Sequence, residues 1–249
     1  MPEPRAPFTA RSVLASALLG ERPPELPVAH LVHLAGLFGI NENRARVALS
    51  RMAAAGEVTT DGTGRYRLAG HLLDRQGRQS ASRAGTTLPW DGRWRMVVVT
   101  GPGRAADDRV ARRKRLALAR LAEQRDGVWL RPDNVELQPD PADDPDLTLY
   151  VAEPDGDPVA LAAGLWDLDG WASRARELEQ RMDRLPPAAP DDLAPGFVLS
   201  ADVLRHLQAD PLLPGDLLPP DWPGRSLRRA YDRWDTRYRQ VLVTWGRSV

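Results

Sequence analysis

The residues best suited to recognition chemistry lie between positions 41 and 67. Asn41, Asn43, Arg44, Arg46, Val47, Ser50 and Arg51 fall in one short segment, and Arg65 and Arg67 follow it. Arg and Asn make paired hydrogen bonds to the edges of guanine and adenine, and Arg and Ser also reach phosphate oxygens. Bond-making chemistry has far less support. The chain has no cysteine, so a disulfide framework and a thiolate metal site are excluded. Its four histidines, His30, His33, His71 and His206, are not set beside carboxylates at metal-ligand spacing. There is no Ser/His/Asp set and no glycine-rich phosphate loop. The expectation is a protein that is not an enzyme and has no catalytic residue, metal site or resident cofactor. A second basic group, Arg112-Arg113-Lys114-Arg115, is a candidate anion site together with Trp129. Four consecutive residues span a full helical turn, however, and cannot all face one ligand. A solvated helix face is the competing reading.

The first group needs a helix to display it. Asn41 is a good N-cap, and Gly56 ends the run that follows. At roughly 100° per residue, Ala45, Ala48, Leu49 and Met52 share one side of this helix. Asn43, Val47, Ser50 and Ala54 point the other way, flanked by Arg44, Arg46 and Arg51. Small outward residues let a backbone approach a major groove closely. Two helices should precede this one. The first is capped by Thr9, carries Leu14, Ala17 and Leu18, and ends at Gly20. The second runs from Pro27 to Gly39. Pro23, Pro24 and Pro27 read as breaks between them. Val58–Thr60 and Arg65–Leu68 read as strands around the turn signal Asp61-Gly62. Three helices and a hairpin in that order make a winged helix-turn-helix over residues 1–70, with 71–89 as a linker. The same helices could instead form a protein-interaction scaffold.

Residues 90–184 predict a strand at Arg95–Thr100 and a helix from Ala105 to Arg125 with Val110, Leu116, Leu118, Ala119 and Leu121 as its apolar positions. Strands at VWLRP and at Leu147–Glu153 follow, then helix from Val159 to Leu185, interrupted near Gly164 and Gly170. This order is compatible with a ferredoxin-like α/β sandwich. Trp90, Trp94, Trp129, Trp166 and Trp171 should pack its core, and one of them could line an effector pocket. Residues 185–249 predict a C-terminal helical domain. Phe197–Leu207 reads as one helix and Ser226–Trp245 as another, with Leu227, Tyr231, Trp234 and Tyr238 in a stripe suited to a core or a sister subunit. The proline-rich stretch between them holds four leucines and Trp222 and reads as an ordered, packed loop.

The chain carries no net charge, but the charge is unevenly spread. Residues 1–89 have 11 Arg and 7 acids, whereas residues 90–184 have 15 basic and 19 acidic side chains. The N-terminal third is therefore the part suited to phosphate. MPEPRAPF lacks the apolar stretch of a signal peptide, and no 18-residue apolar run exists. The expectation is a cytoplasmic protein without membrane contact.

Taken together, NRARVALSRMAAAGEV, GRYRLAG, WDGRW, LWDLDGW at 165–171 and DPLLPGDLLPPDWPG at 210–224 resemble the PaaX family, named for the repressor of phenylacetic-acid catabolism. The resemblance implies an α+β protein with an N-terminal winged helix-turn-helix, a middle domain similar in fold to Cas2 and a helical C-terminal domain. It also implies a transcriptional repressor, a homodimer on a palindromic DNA operator, and release by a small-molecule effector such as an aryl-acyl-CoA thioester. The effector is expected at Arg112, Arg113, Arg115 and Trp129. Likeness to Cas2 raises a metal-dependent nuclease as a further alternative. That chemistry needs carboxylates at the end of the first middle-domain strand. Here the strand ends in Thr100-Gly101-Pro102-Gly103. Asp91 precedes it, and Asp107 and Asp108 are better placed to open a helix.

Overall fold

The structure, a computed structural model, describes residues 8–101 and 106–246. The chain is α+β and divides into two compact units. The first comprises Met1–Ser80, Leu178–Leu204 and Arg229–Val249, and the second comprises Ala81–Glu177 and Arg205–Arg228. Segments expected in one C-terminal domain thus contribute to both units.

The first unit opens with α1 (Ala10–Gly20), β1 (Glu25–Pro27), α2 (Val28–Gly36), α3 (Glu42–Ala54), β2 (Val58–Thr60) and β3 (Arg65–Leu68). The Thr9 hydroxyl accepts the Ser12 amide at 3.1 Å, and Asn41 Oδ1 accepts the Arg44 amide at 2.9 Å, so both expected caps are made. Gly39 adopts a φ of +67°, the left-handed conformation that lets the chain turn tightly from α2 into α3. Apolar positions of the three helices converge on Leu14, Leu18, Leu31, Leu49 and Met52, with Val58 and Leu68 of the strands beneath them. This is the element order of a winged helix. One strand was not expected. β1 pairs antiparallel with β3, Glu25 opposite Arg67 and Pro27 opposite Arg65, giving the sheet order β1-β3-β2. The prolines around it read as chain breaks, yet Pro is tolerated on an edge strand because no ladder donor is needed there.

The stretch expected as a linker is largely helix α4 (Gly70–Ala84). Leu72 joins the core of the first unit, and the buried Gln76 amide donates to the carbonyls of Leu19 and Glu21 at 3.1 and 3.0 Å.

The second unit holds β4 (Trp94–Val99), α5 (Ala106–Leu118), β5 (Ala122–Arg125), β6 (Val128–Pro132), β7 (Leu147–Ala152) and α6 (Pro158–Leu165). All strand pairs are antiparallel, in the order β5-β6-β4-β7, which is the ferredoxin-like arrangement. Between β6 and β7 the helical content is a single 3-10 turn, Pro141–Asp143.

The expected helix to Arg125 is too long. It ends at Leu118, and Arg120 adopts a φ of +63° that turns the chain into β5. Glycine is the usual signal for such a turn. Here an arginine takes the position, held by its own hydrogen bonds: Nη2 donates to the Ser82 hydroxyl at 2.7 Å, and Nη1 donates to the carbonyls of Gln208 and Asp210. Val110 and Leu118, expected on the apolar face, are exposed, and Leu116 and Ala119 face the core.

Helices α7 (Leu168–Arg184), α8 (Leu193–Gln208) and α9 (Gly224–Gly246) follow, with a break at Trp166-Asp167 between α6 and α7. The aromatic stripe of α9 is spent inside the chain. Tyr231, Trp234 and Tyr238 are buried in the first unit, where the Trp234 indole donates to the Leu185 carbonyl at 2.7 Å and the Tyr238 hydroxyl to that of Leu193 at 2.9 Å. The stripe therefore offers no surface to a sister subunit. The proline-rich loop at 210–224 packs as expected, burying Leu213 and Leu217 against Trp94.

Candidate nucleic-acid interface

Helix α3 divides its side chains between two environments. Ala45, Leu49 and Met52 are buried and Ala48 is half-buried, while Asn43, Arg44, Arg46, Val47, Ser50, Arg51 and Ala54 are exposed. The outward face is thus small at its centre and cationic at its edges, as the spacing predicts. Val47 stands exposed in its middle, a placement that costs burial and suits contact with an apolar group such as a thymine methyl. Asn41 is also exposed, but its side-chain oxygen is committed to capping the helix.

The cations of this region differ in what already holds them. Arg46 Nε donates to Glu42 Oε1 at 2.7 Å, one turn back on the same helix. Arg44 and Arg51 have no side-chain hydrogen bond or ion pair among the described residues and project their guanidinium groups to solvent. On β3, Arg65 and Arg67 point to one side, and Tyr66 between them packs towards the core. Both arginines meet Glu25. Arg65 Nη2 lies 3.1 Å from Glu25 Oε1, and Arg67 donates to Oε2 from Nε at 3.0 Å and from Nη2 at 2.6 Å. The Arg67 and Arg65 guanidinium groups hold the Glu25 carboxyl below the usual carboxylate range, so it is ionised at neutral pH.

The hairpin between β2 and β3 is organised by its own residues. Asp61 Oδ1 accepts the Thr63 amide at 2.9 Å, and Gly62 and Gly64 take φ values of +78° and +86°. Asp61 therefore shapes the hairpin tip. Where the hairpin meets α4, a side chain on Gly70 would strike the Gly56 carbonyl oxygen, so this close passage requires glycine.

The second group of candidate residues does not assemble into an open anion site. Arg112 is buried, with Nη2 2.8 Å from Asp146 Oδ2 and Nε 3.4 Å from Asp144 Oδ2. Arg115 pairs with Asp144, and Arg113 reaches Glu123 at 3.0 Å and Asp126 at 3.4 Å. Trp129 is a core residue packed with Val97, Leu116 and Leu121. The carboxylates responsible come from β5, from the turn after it and from the acidic stretch before β7, which the sequence leaves without pattern. Trp94 and Trp171 are buried too, and Trp171 stacks between His206 and Trp222 at centroid distances of 4.4 and 4.5 Å. Of the strand end considered for metal chemistry, Pro102 and Gly103 lie outside the described residues. Asp91 is paired with Arg93, and Asp107 and Asp108 sit in the first turn of α5.

Glu25 and Glu42 are further charged neighbours of these arginines. Glu42 could have been found from its i, i+4 spacing to Arg46. Glu25 lies about 40 residues from its partners, and only the β1–β3 pairing brings it to them.

Three family models match the chain in order: the PaaX-like protein at residues 9–72, the PaaX protein central Cas2-like domain at 87–144 and the PaaX-like protein C-terminal domain at 166–242. The chain belongs to the PaaX family. A solved structure described as uncharacterized protein Rv0674 from Mycobacterium tuberculosis is 38% identical in sequence to this PaaX-family chain. It superposes with a TM-score of 0.74 over 95% of this chain and 98% of its own. No curated protein sequence matches. PaaX proteins are a family of regulators. No helix among the described residues of this one is long and apolar enough to cross a membrane.

Proposed function

We propose that this PaaX-family protein is a transcriptional regulator that binds duplex DNA, with the outer face of α3 in the major groove and the β2–β3 wing on the phosphate backbone. The observation that carries this reading is the division of α3. Ala45, Leu49 and Met52 are buried in the unit, and Asn43, Arg44, Arg46, Val47, Ser50 and Arg51 remain together on the solvent face. A helix used only for packing has no reason to gather base-reading side chains around a centre small enough to enter a groove. Arg65 and Arg67 on the wing supply donors suited to phosphate.

The same reading includes a cytoplasmic homodimer on a palindromic operator, since one winged helix covers one half-site. It also includes repression relieved by a small molecule such as an aryl-acyl-CoA thioester. Arg112, Arg113 and Arg115 are tied to carboxylates and offer such a ligand few free donors. The test is a gel-shift titration of the full chain on the duplex upstream of its own coding sequence, with an unrelated duplex of equal length as control. Preferential retention of the upstream duplex supports the reading, and equal or absent binding of the two removes it. Adding phenylacetyl-CoA to the preformed complex tests the effector. Sedimentation, free and on DNA, tests the dimer against the 27.5 kDa chain mass.

A further inference from the structure

We propose that Glu25 sets the strength of the wing's grip on DNA by holding Arg65 and Arg67 to a shared net charge of +1. The proposal rests on the DNA-binding reading above and concerns a residue to which that reading gives no part.

The geometry is a three-residue cluster on one side of a small sheet. Glu25 lies on edge strand β1, directly across from Arg67 on β3, and Arg65 is two residues along the same strand and therefore on the same face. The carboxylate uses both oxygens, one for each arginine. Its side chain is 19% exposed, whereas those of Arg65 and Arg67 are 46% and 62% exposed. The acid therefore sits beneath two cations that reach outward. Glu42 and Arg46 also pair in this region, but both are more than half exposed, on a single helix turn, and such a pair exchanges readily with solvent. Glu25 is sheltered and held by two partners, so its charge stays with the wing.

A phosphate approaching the wing meets this cluster as a unit. Each guanidinium has five donors, and Glu25 takes one from Arg65 and two from Arg67. Donors remain for phosphate, so contact is not blocked. The charge available is another matter. Two arginines alone would neutralise two phosphates and release their counterions, whereas two arginines with one buried-side carboxylate act as about one. Counterion release is the sequence-independent part of binding. Glu25 thus lowers the wing's affinity for every duplex alike and leaves discrimination to α3.

The experiment compares the full-length wild-type chain with Glu25→Gln, Arg67→Gln and the double variant. Gln keeps the size of Glu and one carbonyl acceptor but removes the charge. Affinity is measured against salt concentration on the upstream duplex and on an unrelated duplex. The logarithmic salt slope should steepen by about one for Glu25→Gln, become shallower by about one for Arg67→Gln, and return to the wild-type value in the double variant. Near 0.1 M salt, Glu25→Gln should bind both duplexes several-fold more tightly, with their ratio unchanged. An unchanged slope overturns the proposal. So does a weaker-binding Glu25→Gln at constant slope, because Glu25 would then act only by orienting the arginines. If the wild-type chain binds neither duplex at low salt, the DNA-binding reading itself fails, which is a different result from wild-type binding with no response to Glu25→Gln. Matching circular dichroism spectra and melting midpoints across the four proteins keep a folding defect from imitating either outcome.

Discussion

Helices α3 and α5 are each 13 residues long, and each carries several arginines. In α3 Ala45, Leu49 and Met52 face the core, and the guanidinium groups of Arg44 and Arg51 end in solvent. In α5 an arginine occupies a core-facing position. Arg112 is buried against Asp144 and Asp146, and its neighbours Arg113 and Arg115 are paired as well. The comparison teaches that a basic run acquires its meaning from the carboxylates folded against it. Among the described residues the arginines of α3 pair only with Glu42 of the same helix, whereas those of α5 meet Glu123, Asp126, Asp144 and Asp146 from outside it. The first helix can offer charge to a partner, and the second uses its charge to hold a domain together.

The comparison is broken most severely at Arg112. Removing one partner of a buried ion pair leaves uncompensated charge, so Arg112→Ala should destabilise the second unit by about 3 kcal/mol. The denaturation midpoint should fall at constant slope. Acid should act on the same cluster. Burial raises the Asp144 pKa, but the Asp146 amide, Arg115 and Arg112 outweigh it, and the carboxyl titrates below its usual 3.8. Its contribution to stability is therefore complete above about pH 4 and is lost as pH falls through the depressed folded value. Asp144→Asn should flatten the acid limb of a stability profile measured between neutral pH and pH 2.

Next in size are the free cations of α3. Arg51→Ala should weaken binding to the upstream duplex by about 1–3 kcal/mol if the side chain reads a base, with a smaller loss on unrelated DNA. A loss equal on both duplexes would assign it to phosphate. Arg46→Ala should cost less than Arg51→Ala, since its guanidinium is already shared with Glu42. Equal losses would show that this exposed pair dissolves on the DNA. The smallest effect is expected at Arg113, which is exposed and faces Glu123 and Asp126. Arg113→Ala should change stability by less than about 0.5 kcal/mol and leave DNA binding unaltered. A large change in either would place α5 in the same class as α3.

Much of this protein follows from local pattern. The two faces of α3, the caps at Thr9 and Asn41, the β2–β3 hairpin and the central strand β4 are all readable, because helix and strand periodicity and capping chemistry act over a few residues. The packed loop at 210–224 is readable from its leucines despite its prolines. What the sequence hid depends on contacts across long separations. β1 has three residues, one of them proline and the other two each beside a proline, and it is a strand only because β3 supplies a partner. β5 was concealed inside an apparent helix because Arg120 adopts a left-handed turn that carbonyls about 90 residues away stabilise. Arg112 looks like any surface cation until Asp144 and Asp146, more than 30 residues later, are folded onto it. Periodicity reports which face a residue occupies on its own element. It cannot report which charges another element brings to that face, and in this protein that pairing separates the arginines available to a partner from those that hold the fold.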